Sequence, residues 1–154
     1  MPSHNDLISE LLGTVGRFRR QIRRTSSSGP DRFDVGAGLT ESQAELVRLI
    51  GRRPGISVSQ AAAELGLAAN TASTLVSRLC AGGSLIREAD PDDRRVGRLR
   101  LTPSTQMAAD ESRNARRTAI SQVLDELDKS EIDALTAGLG VLTKITRLLQ
   151  ERQT

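Results

Sequence analysis

Two groups of polar residues in this chain have types and spacing that could do chemistry. Asn70, Ser73, Thr74 and Ser77 recur at steps of three and four residues, with Thr71 and Arg78 beside them. On a helix that spacing lines up the first four on one stripe. Short uncharged hydrogen-bonders near a helix start are what meets base edges in a major groove. Asn pairs adenine with two bonds, Ser and Thr read less specifically, and Arg78 near the helix end suits a phosphate. An ordinary solvated face carries Glu and Lys, and none occurs from Ala68 to Ser77. An acid-free stripe fits a surface that approaches phosphates. The second group is Asp92, Asp93, Arg94 and Arg95, in a run that reads as a turn. Its two carboxylates are adjacent, but arginines beside them in an exposed turn keep both ionised, which disfavours general acid–base work.

Other chemistries lack their parts. The chain has one His, His4, and one Cys, Cys80. These make no disulfide, no closed zinc site of four protein ligands and no His-based catalytic dyad. No Gly-rich phosphate loop of P-loop type is present. No enzyme activity, metal or cofactor is therefore expected. With two Phe, no Trp and no Tyr, the chain is a poor candidate for stacking single-stranded bases. No run approaches 18 apolar residues, and Met1–Arg20 does not read as a secretory signal, so the expectation is a cytoplasmic protein with no membrane contact. The net charge is +3, and 20 of the 22 basic residues are Arg. Residues 1–102 carry +4 and residues 103–154 carry −1. That bias is compatible with a polyanionic partner but too small to argue for one alone.

The elements that must position these residues follow from periodicity. Leu7, Ile8, Leu11, Leu12, Val15, Phe18 and Ile22 predict an amphipathic helix over about 6–24, and Thr25–Gly38 reads as a connection. Thr40 with Gln43 and Ser57 with Gln60 are capping boxes opening a second and a third helix, the second ended by Pro54-Gly55 and the third by Gly66. A fourth helix runs to Ala81, with Ala72, Leu75, Val76 and Leu79 as its buried face. Residues 85–88 and the strictly alternating Arg98-Leu99-Arg100-Leu101 predict a β-hairpin with a polar tip. Thr102-Pro103 opens a fifth helix, and Ser130 with Asp133 resembles the cap of a sixth, which carries Ile132, Leu135, Leu139, Leu142, Ile145, Leu148 and Leu149. The fold is mainly α with a small β-hairpin wing: a winged helix-turn-helix over 39–102, flanked by a helix and connection over 1–38 and two helices over 103–154. The outer helices are apolar along one face, more than a monomer of this size covers, so a homodimer is expected.

At Asp93-Arg94-Arg95-Val96-Gly97-Arg98-Leu99-Arg100-Leu101-Thr102 the chain resembles the MarR family of bacterial transcription regulators. The pattern is Asp-x-Arg, five residues, then Leu-Thr. Val76-Ser77-Arg78-Leu79 with Gly83, and Leu39-Thr40-Glu41-Ser42-Gln43, also fit. The resemblance implies a homodimer joined by its terminal helices and bound to a near-palindromic operator on double-stranded DNA, usually as a repressor. It also implies a small aromatic or phenolic effector in a cleft between the dimerisation helices and the DNA-binding lobe. It places the minor-groove arginine on Arg95 and its orienting acid on Asp93, and it implies that Arg87 joins that ion pair. There are departures. Ser84 stands where the family has an aliphatic residue, which predicts a looser strand start. Ala68 and Ala69 offer no cap unless Asn70 serves.

Two features stand outside this reading. Arg17, Arg19, Arg20, Arg23 and Arg24 form a basic cluster that reads as a solvated face of the first helix, its last residues favourable to the helix dipole. Cys80 follows buried Leu79 and reads as a small core residue. The alternatives are a redox-responsive regulator using Cys80, and a winged-helix protein-interaction module that does not bind DNA.

Overall fold

The computed structural model describes residues 1–26 and 38–153. The connection predicted over Thr25–Gly38 falls largely on residues 27–37, outside the described residues. The elements are α1 (His4–Ser26), α2 (Glu41–Arg52), β1 (Ile56–Ser57), α3 (Val58–Leu65), α4 (Ala69–Ala81), β2 (Leu85–Ala89), β3 (Gly97–Leu101), α5 (Pro103–Leu124) and α6 (Lys129–Glu151). Contacts divide the chain into two compact units, Met1–Arg116 and Arg117–Thr154.

In the first unit the capping boxes are present as the sequence predicts. Thr40 and Ser57 each accept a hydrogen bond from the backbone of the Gln three residues on, and each Gln side chain answers the cap's own N–H. Gly66 ends α3 at φ +65 in the left-handed region, which frees the chain to turn into α4. Gly83 does the same after α4, at φ +76. One core gathers α2, α3, α4 and the sheet: Leu46, Val47, Leu49, Ile50, Leu75, Val76, Leu79, Leu85, Leu99 and Leu101 are all buried.

The sheet has one strand more than the sequence predicts. Its order is β1-β3-β2, all antiparallel. Ile56 pairs with Leu99 and Ser57 with Arg98, so the hairpin is rooted at its base on the segment entering α3. Ser84 does not loosen the strand start. Its N–H donates to the Leu79 carbonyl at 3.0 Å, and its carbonyl accepts from the Thr102 N–H at 3.1 Å. The Thr102 hydroxyl lies 3.0 Å from the Gly83 carbonyl oxygen, tying the start of α5 to the same turn.

α1 is joined to α2 by charge. Arg19 reaches Glu41 at 2.6 Å and Glu45 at 2.8 Å, and Arg23 reaches Glu41 at 3.1 Å. Two of the five clustered arginines therefore bind α2 rather than lining a merely solvated face. In the second unit α6 is capped by Asp128, not Ser130. The Asp128 carboxylate accepts from the Glu131 N–H at 2.9 Å, and Glu131 accepts from the Asp128 N–H at 3.0 Å. An ionised cap two residues earlier satisfies the same orphan donors and faces the positive end of the helix dipole. No residue of α6 is buried. Among the described residues no helix is long and apolar enough to cross a membrane.

Candidate nucleic-acid interface

α4 divides as its periodicity demands. Ala72, Leu75, Val76 and Leu79 are buried, while Asn70, Thr71, Ser73, Thr74, Ser77 and Arg78 are all exposed. The helix opens on Ala68, which makes no side-chain cap bond. Asn70 supplies part of what is missing, its Oδ1 accepting from the Thr71 N–H at 2.9 Å. Thr74 donates its hydroxyl to the Asn70 carbonyl at 2.9 Å. These bonds set the polarity of the stripe. The Asn70 amide keeps its NH2 donors for a partner, and the Thr74 hydroxyl has spent its proton and retains acceptor lone pairs. Adenine recognition through both atoms of Asn70 would compete with its local bond.

The hairpin tip is organised by Asp90, the first residue of the charged turn, to which its sequence position alone assigns no role. Asp90 follows β2 and is buried. Its Oδ1 accepts from the N–H groups of Asp92 at 2.8 Å and Asp93 at 3.1 Å, an Asx-type turn, and its Oδ2 accepts from Arg98 Nε at 2.5 Å. The Arg98 guanidinium, then the two amides, hold the Asp90 carboxyl below the usual carboxylate range. The Asp90-Pro91-Asp92 order, an Asp opening a turn through Pro, is the signal that could have found it.

Beyond this turn Arg94 and Arg95 are exposed, Arg95 with 92% of its side chain accessible. Asp93 Oδ1 accepts from the Arg95 backbone N–H at 3.1 Å and from Arg95 Nε at 3.3 Å. Arg87 takes no part in that pair among the described residues; its guanidinium covers Gly97, where a Cβ would collide with it. Arg78 and Arg94 have no ion pair among the described residues. Cys80 is half-buried against the core cluster. No group of three or more His, Cys, Asp or Glu that could hold a metal occurs among the described residues.

Residues 37–96 match the family model for the MarR family. No curated protein sequence matches the chain. Among solved structures, the chain is similar to the FabT protein of Streptococcus pneumoniae, crystallised in complex with DNA, with a TM-score of 0.80 and 18% identity over 96% of this chain and 99% of that one. It is also similar to SP03579, a MarR family transcription regulator, with a TM-score of 0.71 and 16% identity over 94% and 91% of the two chains. A MarR protein of Peptoclostridium difficile gives a TM-score of 0.70 and 17% identity over 94% and 92%. Residues 37–96 thus match the MarR family, and the fold that surrounds them is similar to that of solved MarR family regulators.

Proposed function

We propose that this chain is a dimeric, sequence-specific transcriptional regulator that binds double-stranded DNA, and that it acts as a repressor released by a small-molecule effector. The observation that carries the reading is the exposed, acid-free stripe of α4 followed in the same unit by a wing whose Arg94 and Arg95 point to solvent. In this reading residues 39–102 form the DNA-binding module, and residues 1–38 and 103–154 supply the dimer contact. Asn70, Thr71, Ser73, Thr74 and Ser77 enter a major groove and Arg78 meets the backbone. Arg95, oriented by Asp93, enters the adjacent minor groove with Arg94 beside it. A two-fold dimer reads a near-palindromic operator with half-sites about one helical turn, roughly 34 Å, apart. That the FabT protein, on a similar fold, was crystallised in complex with DNA supports DNA as the ligand.

The effector reading rests on a pocket of about 130 Å³ lined by Phe18, Ile22, Arg19, Arg23, Glu41, Arg48 and Arg116. That volume is near the roughly 150 Å³ of a cavity that takes one benzene ring, and the lining joins apolar surface to guanidinium groups, which suits an aromatic acid or phenol. The Arg19–Glu41 and Arg23–Glu41 pairs that border it connect α1 to the start of α2. A ligand that competes for those arginines favours one arrangement of the lobe over another only through such differential contacts. The alternatives have less behind them. Half-buried Cys80 has no second thiol, and a protein-interaction module does not call for an acid-free stripe.

The test is a mobility shift on the chain's own upstream region, titrated over salt. If about six phosphates are neutralised, log K falls against log salt with a slope near −5. Binding unchanged between low and physiological salt would refute the reading.

A further inference from the structure

We propose that Asp90 and Arg98 form a clasp that fixes the wing to the base of the sheet and thereby positions Arg95 for DNA. The inference rests on the DNA-binding reading above and adds to it two positioning residues that are not themselves expected to touch DNA.

The hairpin has a structural problem. β1 supports β3 only at Leu99 and Arg98, through two short pairings. Past Ala89 and Gly97 the ladder gives way to a single backbone bond, from the Asp90 N–H to the Val96 carbonyl at 2.9 Å, and the tip beyond it carries four charged side chains in a row. An arginine on a freely moving tip gives up most of its groove energy to the entropy of being ordered. Asp90 sits where the ladder ends. Its side chain is only 11% exposed, while Asp92, Asp93, Arg94 and Arg95 are exposed. One carboxylate gathers the turn from within through the amides of Asp92 and Asp93. With its other oxygen it takes Arg98 on β3, a charge-assisted bond of the stronger kind. Arg98 continues the line, donating from Nη1 to the Gly55 carbonyl at 3.3 Å. Gly55 is no loose partner: its N–H donates to the Leu99 carbonyl at 2.8 Å, and it stands at φ +86, a conformation suited to glycine.

A continuous path therefore runs from the α2–β1 loop to the tip. Gly55 holds Arg98, Arg98 holds Asp90, Asp90 holds the Asp93 backbone, and the Asp93 side chain holds Arg95. The last link is weak alone, because an ion pair so exposed contributes little. What gives it a fixed direction is that the Asp93 backbone is anchored by a buried carboxylate.

The experiment uses full-length protein and a duplex selected from random sequence by the wild type, with a scrambled duplex as control. Arg95→Ala should weaken binding to the selected duplex about 10- to 100-fold, the range for losing one groove contact. Asp90→Asn should weaken it about tenfold. This change removes a negative charge beside DNA, so charge alone predicts tighter binding. Asp90→Asn combined with Arg95→Ala should bind no more weakly than Arg95→Ala alone, and scrambled-duplex affinity should not fall. A merely structural role would instead add its loss in full to that of Arg95→Ala. Circular dichroism and melting monitor folding. Arg98→Lys, which keeps the charge but cannot span Asp90 and Gly55 together, provides an intermediate loss if Asp90→Asn folds poorly. Wild-type affinity in both Asp90→Asn and Arg98→Lys, or full additivity with Arg95→Ala, overturns the clasp while leaving the DNA reading intact. A wild type with no duplex preference overturns both.

Discussion

The apolar faces of the terminal helices make the proposed dimer measurable. In α6 the residues Leu139 and Leu149 lie on the seam of Ile132, Leu135 and Leu142, and they remain 53% and 56% exposed. Burying a Leu side chain completely is worth about 1.5–3 kcal/mol, so each of these has about 1 kcal/mol still to gain. In a two-fold interface every substitution counts twice, so Leu139→Ala is expected to cost about 2 kcal/mol of dimer stability. That is about a 30-fold rise in the dimer dissociation constant. Leu139→Ala with Leu149→Ala should reach about a thousandfold, provided the two sites are independent. Both substitutions favour helix, so α6 itself is not weakened by propensity. Sedimentation velocity across a concentration series reads the constant directly, with helix content followed by circular dichroism. The wild type should sediment as a dimer at micromolar concentration, and the double variant should dissociate there. A well-folded wild-type monomer at that concentration, or a double variant with an unchanged constant, refutes the argument from unburied apolar surface.

On the wing, Asp93→Ala should loosen operator binding by no more than a few fold, because the pair it breaks is exposed and worth about 0–1 kcal/mol. Tighter binding by that variant in a titration at fixed salt would show that Asp93 acts only as a repelling charge. On α4, Asn70→Ala and Thr74→Ala should lower affinity for the selected duplex more than for random sequence, and equal losses by fluorescence anisotropy would mean these side chains do not read bases. Asp128 gives the pH prediction. Its folded carboxyl lies below the ordinary value of 3.8, first because the Glu131 N–H donates to it. The stability it contributes is present above about pH 4 and is lost as pH falls through the lowered folded value. Asp128→Asn keeps an oxygen for that N–H and cannot ionise, so its acid melting curve should be shallower than the wild type's; coincident curves would remove the cap from the acid response.

The helices and their buried faces were legible because a 3.6-residue period is written many times over. α4 alone repeats its apolar step at Ala72, Leu75, Val76 and Leu79, and all four are buried. β1 was not legible for the converse reason. Two residues cannot display an alternation, and Ser57 already read as the cap of α3, a role it does fill while pairing with Arg98. The cap of α6 lies two residues before the one the sequence predicts, because Ser130 with Asp133 has the spacing of a cap and Asp128 with Glu131 has it too. What separates them is where the helical backbone begins.

The arginines, 20 of the 22 basic residues, look alike in the sequence but not in the structure. Arg95 and Arg98 are three positions apart, yet one is extended into solvent and the other is closed on a buried carboxylate. Their difference comes from Asp90, whose side chain turns inward only because the β2–β3 ladder ends at Ala89 and Gly97 and leaves two amides unpaired beside it. Arg19 and Arg23 are likewise committed to α2. Pairing is thus a selection among identical side chains. Those facing a carboxylate across an element boundary hold the lobe together. Arg78, Arg94 and Arg95 instead extend outward from α4 and the wing, Arg95 with only the exposed Asp93 carboxylate beside it.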